Sequence, residues 1–298
     1  MNSNNKLFAH FADRRWVNQW RRTECCGARV PKLINFFPAD DEERTKKCLW
    51  QFVAPKGGAV VKFNHKAGGV TVLRQGARLS KKQWQIYVNG MHSNFNTGNK
   101  HIVERHYYYA EKGIMIEEML PPDEMLGTLP IDYKLFASDG RIPLALIFAQ
   151  RKVLEKKGEV VVASGPKSKA QQVWAFEPSL LSNSSRVSRD QMVYSDGVAD
   201  DFTFEKPCGW EEMIKVAGCL SKGLGGVRID MYLRNCQTYL GEITMTSAAG
   251  VTISVARGCQ GECAKRVDKW LGSFISQDLP LEGLVRREHL NLNCSYAG

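Results

Sequence analysis

The sequence predicts a mixed α+β fold. Three observations predict it. Short β-branched runs are bounded by glycine and proline, as at Ala59 to Asn64 and Ile114 to Leu120. Asp139-Gly140 is a strong two-residue hairpin signal between two apolar runs. Trp210, Met213, Ile214, Ala217 and Leu220 form one apolar stripe at helical spacing, set between strand patterns. Strands joined by hairpins with helices interleaved make an α+β architecture, and 298 residues suffice for one large domain or two to three subdomains.

In chain order, Asp13 to Arg22 reads as a helix, with Trp16, Val17 and Trp20 on one face, and Asp40 to Lys47 as a charged helical segment. Strands follow at Ala59 to Asn64, Val70 to Leu73, and Ile114 to Leu120, the last stopped by Pro121-Pro122. From Ile131 to Ala137 the chain alternates, with Ile131, Tyr133 and Leu135 on one face and Asp132, Lys134 and Phe136 on the other. Ile142 to Phe148 is its hairpin partner. Residues 151–202 read as a long irregular insert. The helix Trp210 to Gly223 ends at glycines, Val227 to Leu233 and Thr238 to Met245 form a second hairpin, and Cys263 to Phe274 reads as a last helix.

Composition narrows the function classes. No run of eighteen apolar residues exists, so no membrane span is expected. The apolar stretch Leu7 to Phe11 is too short for a secretory signal, which leads to an expected cytoplasmic location. Nine cysteines, an odd count without a Cys-x-x-Cys pair, read as free thiols rather than a disulfide framework, and Cys259-x-x-x-Cys263 lacks the second ligand pair of a zinc site. The net charge of +10 is spread along the chain, which suits anionic ligands and gives no dedicated nucleic-acid patch.

The chemistry-bearing residues fall in four groups. With a turn centred near Cys236, Asp230 lies opposite Glu242, and opposed Cβ atoms are about 5 Å apart. Two carboxylates that close repel unless a cation or proton lies between them, and a hard divalent ion such as magnesium suits them. Thr244 shares the face of Glu242, and Arg228 that of Asp230, where it could meet a phosphate. The same pattern also describes the polar side of an ordinary two-stranded ribbon. Lys62 projects from a strand before a turn containing Gly68 and Gly69, a way to bring a cation and backbone N–H groups to phosphate oxygens. No Gly-Lys-Ser/Thr loop opening a helix is present, and His65 beside it reads more readily as structural than as a base. Glu117-Glu118-Met119-Leu120 combines an apolar face with acids, and Lys134 and Arg151 are cations suited to a transferring phosphoryl group.

In their order these pieces resemble the ATP-grasp superfamily, and most closely its teichuronopeptide-biosynthesis (TupA-like) branch. The carrying segments are Val61-Lys62-Phe63-Asn64-His65, Ile116-Glu117-Glu118-Met119-Leu120, Asp132-Tyr133-Lys134-Leu135-Phe136, Val227-Arg228-Ile229-Asp230-Met231-Tyr232 and Gly241-Glu242-Ile243-Thr244. Ala12-Asp13-Arg14-Arg15-Trp16-Val17 and the helix from Trp210 add to them, so the resemblance spans roughly residues 10–250. It implies two α+β subdomains clamping ATP, with an N-terminal helical segment at 1–50, a small subdomain at 51–120, a C-terminal subdomain at 121–250 and an extension at 251–298. It implies that Lys62, Gly68 and Gly69 hold phosphates and that Glu117, Glu118, Met119 and Leu120 form the adenine hinge. Lys134, Arg151 and Arg228 would surround the terminal phosphate, and Asp230, Glu242 and Thr244 would bind Mg2+. The implied activity is ATP-dependent carboxylate–amine ligation through an acyl phosphate, on small-molecule, peptide or glycan substrates, as in peptide or cell-surface polysaccharide biosynthesis. The alternatives are a kinase on the same scaffold and a non-catalytic basic binding protein. The sequence leaves the oligomeric state open.

Overall fold

The computed structural model describes residues 13–19, 21–66, 69–92, 110–121, 129–149, 153–156, 159–162, 172–224, 226–244 and 265. The last helix read at Cys263 to Phe274 therefore lies outside the described residues, apart from helical Lys265. The chain divides into two compact units. The first draws on residues within 1–18, 31–121 and 152–165, the second on residues within 19–30, 122–151 and 166–298.

The first unit is built on a six-stranded sheet in the order β1-β4-β2-β3-β8-β7. Its strands are β1 (Leu33–Pro38), β2 (Ala59–Phe63), β3 (Thr71–Leu73), β4 (Gly113–Glu118), β7 (Val153–Lys156) and β8 (Glu159–Val162). Pro38 ends an edge strand, where a missing N–H costs no ladder bond. Among the described residues, three helices belong to this unit: α1 (Arg14–Gln19, whose last residue falls at the boundary), α3 (Glu42–Gln51) and α4 (Lys81–Gly90). Asp41 and Ser80 cap α3 and α4 by accepting the backbone N–H of Arg44 and Gln83. The core joins Phe37, Leu49, Val61, Phe63, Leu73, Tyr87, Met91, Ile114 and Ile116. The sequence reading missed β1 and α4, because Gln83, Gln85 and Asn89 dilute the apolar stripe of that helix.

The second unit holds a six-stranded sheet in the order β11-β9-β6-β5-β13-β14. These are β5 (Asp132–Ser138), β6 (Arg141–Ala149), β9 (Gln172–Phe176), β11 (Tyr194–Asp196), β13 (Val227–Arg234) and β14 (Gln237–Thr244). The two-stranded pair β10 (Arg186–Ser188) and β12 (Thr203–Glu205) stands apart from it. Thus the stretch read as an irregular insert, 151–202, supplies strands to the sheets of both units. Asp139 and Gly140 both take positive φ, as a two-residue turn between β5 and β6 requires.

One face of this sheet packs on α5 (Trp210–Ser221). Trp210 is buried there against Phe176, with ring centroids 5.7 Å apart, and meets Tyr133 edge-on at 6.2 Å. Disulfides anchor both ends of the helix. Cys208, just before it, bonds Cys236 in the β13–β14 turn, and Cys219 in its last turn bonds Cys26 after the short helix α2 (Arg21–Cys25). Cys25 is also disulfide-bonded, and Cys48 is the free cysteine among the described residues. These bonds correct the free-thiol reading. The cysteines lie 193 and 28 residues apart in sequence, and only the fold brings them together. Gly209 fits between them because its φ is +85° and a Cβ there would press to 2.5 Å from the Cys236 carbonyl oxygen.

Candidate functional site

In the second unit, β5, β13 and β14 lie side by side and present Asp132, Lys134, Arg228, Asp230, Glu242 and Thr244 on one face. Asp230 pairs with Glu242 on one side and Lys134 on the other. The Asp230–Glu242 pairing depends on a β-bulge. From the turn upward the register runs Arg234↔Gln237 to Met231↔Leu240 and then shifts, so that Glu242 rather than Gly241 opposes Asp230. Bulges re-aim side chains in this way. Gly241 is the extra residue, and a Cβ on it would sit 2.5 Å from the Tyr232 ring.

Charge organises this face. Lys134 Nζ donates to Asp230 Oδ2 at 2.6 Å and lies 2.9 Å from Asp132 Oδ2. Arg228 donates through Nε to Asp230 Oδ1 at 2.5 Å, and through Nη2 to Asp230 Oδ2 at 2.9 Å and to Thr244 Oγ1 at 3.1 Å. Glu242 Oε2 is 4.0 Å from Arg228. Burial alone would raise the Asp230 carboxyl, but the positive charges of Arg228 and Lys134 outweigh it and hold the group at about 2. Burial works against the charge on Arg228, which Asp230, Glu242 and Asp132 together more than restore. Asp132, Asp230 and Thr244 are all buried.

These residues fit a hard divalent cation in their chemistry. Asp230, Glu242 and Thr244 offer oxygen donors on adjacent strands, and magnesium binds through one or two carboxylates while keeping waters and phosphate oxygens. Among the described residues no group of three or more His, Cys, Asp or Glu forms a self-sufficient metal cage.

In the first unit, Lys62 on β2 and Glu117 on β4 lie diagonally across a strand pair, and their side chains form a buried ion pair at 2.5 Å. The sequence reading gave these two residues separate tasks, phosphate and adenine hinge; here they hold each other. Glu118 Oε1 accepts the backbone N–H of Lys32, so its carboxylate also has a local partner. Met119 and Leu120 continue from β4, with Leu120 buried.

The turn after Lys62 is braced by residues whose importance the sequence showed only through the family resemblance. Arg14 Nη1 donates to the carbonyls of Phe63 and Lys66. Asn64 is fully buried, donates to Asp13 Oδ1 at 2.9 Å and accepts from the Arg15 backbone. His65 Nδ1 accepts the Gly113 N–H in a fully buried position, a structural histidine rather than a base. Gly69 has φ +65° and its carbonyl accepts from Tyr87 Oη. Gly68 and Arg151 lie outside the described residues.

No curated protein sequence matches the chain. Solved structures similar to it include the D-alanine–D-alanine ligase from Bacillus anthracis complexed with ATP, at 12% identity and a TM-score of 0.36, covering 87% of this chain and 68% of that one. The macrocyclase MdnC bound with precursor peptide MdnA, from Microcystis aeruginosa, is similar at 10% identity and a TM-score of 0.40, over 91% of this chain and 63% of its own. The ATP-grasp ligase PsnB with its minimal precursor is similar at 11% identity and a TM-score of 0.38, over 90% and 61%. Residues 190–276 match the TupA-like ATP-grasp family model. That stretch contains α5 and the β13–β14 hairpin with Arg228, Asp230, Glu242 and Thr244, so this part of the chain is similar to the TupA-like ATP-grasp family.

Proposed function

We propose that the protein is an ATP-dependent carboxylate–amine ligase. The observation that carries this reading is the shared face of β5, β13 and β14, where a bulge sets Glu242 opposite Asp230 with Lys134 and Arg228 alongside. The family match over the same hairpin supports it.

In this reading Asp230, Glu242 and Thr244 hold Mg2+, which when bound neutralises charge on the phosphate oxygens of ATP. Lys134 and Arg228 on the sheet face, together with Arg151, surround the terminal phosphate. Lys62, Gly68 and Gly69 serve the inner phosphates, and Glu117, Glu118, Met119 and Leu120 the adenine, mainly through backbone groups. A substrate carboxylate oxygen attacks the γ-phosphorus and ADP leaves. An amine then attacks the acyl carbon of the acyl phosphate, phosphate leaves and an amide forms. Positioning and charge neutralisation provide most of the acceleration in such chemistry. Peptide or acidic glycan substrates of cell-surface biosynthesis fit the net charge of +10.

No helix among the described residues is long and apolar enough to cross a membrane. The disulfides favour folding in an oxidising compartment over the cytoplasmic location that the sequence suggested.

The test is incubation with ATP, Mg2+ and pooled amino acids, peptides and sugar acids, following ADP release and new masses. The reading predicts ADP, phosphate and an amide product. ADP with a phosphorylated acceptor and no amide would replace it with kinase chemistry.

A further inference from the structure

Asp132 has no part in the ligand set proposed above, yet it is buried on the same face, and its Oδ2 lies 2.9 Å from Lys134 Nζ. Lys134 thus stands between two carboxylates, Asp132 on its own strand and Asp230 across the ladder at 2.6 Å. The face holds three acids, Asp132, Asp230 and Glu242, against two cations, Lys134 and Arg228. A cation that takes an oxygen of Asp230 must compete with both of them. If Lys134 lost Asp230 with nothing in exchange, a buried ammonium would be stranded, at a cost larger than a surface ion pair ever returns.

We infer that Asp132 is a positioning residue, the reserve partner that keeps Lys134 neutralised when a divalent cation occupies Asp230. It acts through the lysine and does not bind the metal. The inference rests on the proposed metal role of Asp230 and gives the buried acid next to that site a reason to be there. Within the face, it makes Lys134 a cation shared by two acids and ready to pass from one to the other.

The experiment is a double-mutant cycle on the full chain, with Mn2+ as the probe, read by electron paramagnetic resonance of free Mn2+ without nucleotide. Asp132→Asn should weaken Mn2+ binding by about tenfold or more, the range for a residue that supports a ligand from behind. In the Lys134→Gln background, the same Asp132→Asn change should have little effect, because no ammonium remains to be housed. Thermal unfolding of each variant controls for folding. Should Asp132→Asn alone not fold, comparing the double variant with Lys134→Gln still decides the matter. Equal affinities in that pair support the inference, and weaker binding by the double variant than by Lys134→Gln makes Asp132 a direct ligand and overturns it. Unchanged affinity in Asp132→Asn, with wild type binding Mn2+, also overturns it while the metal reading survives. A wild-type protein that binds no Mn2+ removes the metal reading and the inference with it.

Discussion

Lys134 and Asp230 face each other across the β5–β13 ladder, with the ammonium 2.6 Å from the carboxylate and both side chains largely buried. Arg228 grips the same carboxylate from its own strand. Asp230 is therefore the hub of the polar face, and removing it strips Arg228 of its main counter-charge and leaves Lys134 with Asp132 alone. Asp230→Ala should cost about 3–5 kcal/mol of stability, the range for breaking a buried ion pair from one side. Glu242→Gln, 4.0 Å from Arg228, should cost about 1 kcal/mol or less. Urea unfolding of both variants checks this, and equal losses would show that Asp230 is no hub.

The bulge at Gly241 makes a separate prediction. A Cβ there meets the Tyr232 ring at 2.5 Å and the Asp230 carbonyl oxygen at 3.2 Å. Gly241→Ala should destabilise the unit by about 1–3 kcal/mol, the cost of overpacking. Because the bulge aligns Glu242 with Asp230, the variant should also lose divalent-ion affinity. Calorimetry with Mn2+ measures both properties on one sample, and a variant matching wild type in both would show that the register does not depend on the glycine.

Two disulfides fasten α5 to the rest of its unit, closing separations of 193 and 28 residues. Loop-closure entropy assigns about 5 kcal/mol to the longer link and about 3.5 kcal/mol to the shorter, before any native-state strain. The melting temperature should fall markedly in a phosphine reductant and recover on reoxidation. A thermal scan that does not move, with thiols shown to be free by alkylation and mass spectrometry, would mean that the bonds carry little of the stability.

Lys66 is buried beside the Phe63 ring, 4.5 Å from its centroid, and donates to the Gly90 carbonyl. Burial, with a smaller contribution from Lys112, pulls its ammonium down to about 8. Between that value and the ordinary lysine value of about 10.5, the unfolded chain binds more protons than the folded one. This group therefore makes stability rise with pH across that window, opposite to the usual alkaline loss. Lys66→Met should remove the rise. Chemical denaturation of both proteins from pH 7.5 to 10 follows it, and parallel curves would put the lysine elsewhere than in this apolar contact.

Much of this was legible in the sequence, for identifiable physical reasons. The two hairpins were readable because Asp139-Gly140 fixes one turn and strict alternation sorts Asp132 and Lys134 from Tyr133 and Leu135. The Asp230–Glu242 pairing was reached from a turn centred on Cys236. The turn is at Asn235-Cys236, and the bulge at Gly241 makes up the missing residue. A bulge leaves no signal beyond a lone glycine in a strand, and that signal has several meanings. The disulfides could not be read, since cysteine partners far apart in sequence meet only through the fold. The Lys62–Glu117 pair and the anchoring of the glycine turn by Asp13 and Arg14 are contacts across some 50 residues or more, beyond any local pattern.

In the proposed ligase the carboxylates of β13 and β14 bind a divalent ion together with the phosphates of ATP. The most direct test of this is calorimetric titration with a non-hydrolysable ATP analogue, with Mg2+ and with EDTA, on wild type and on Glu242→Gln. The account predicts tight binding to wild type only when Mg2+ is present, and loss of that dependence in the variant while its circular dichroism is unchanged. Binding that is the same in EDTA as in Mg2+, or unaltered by the substitution, would contradict it.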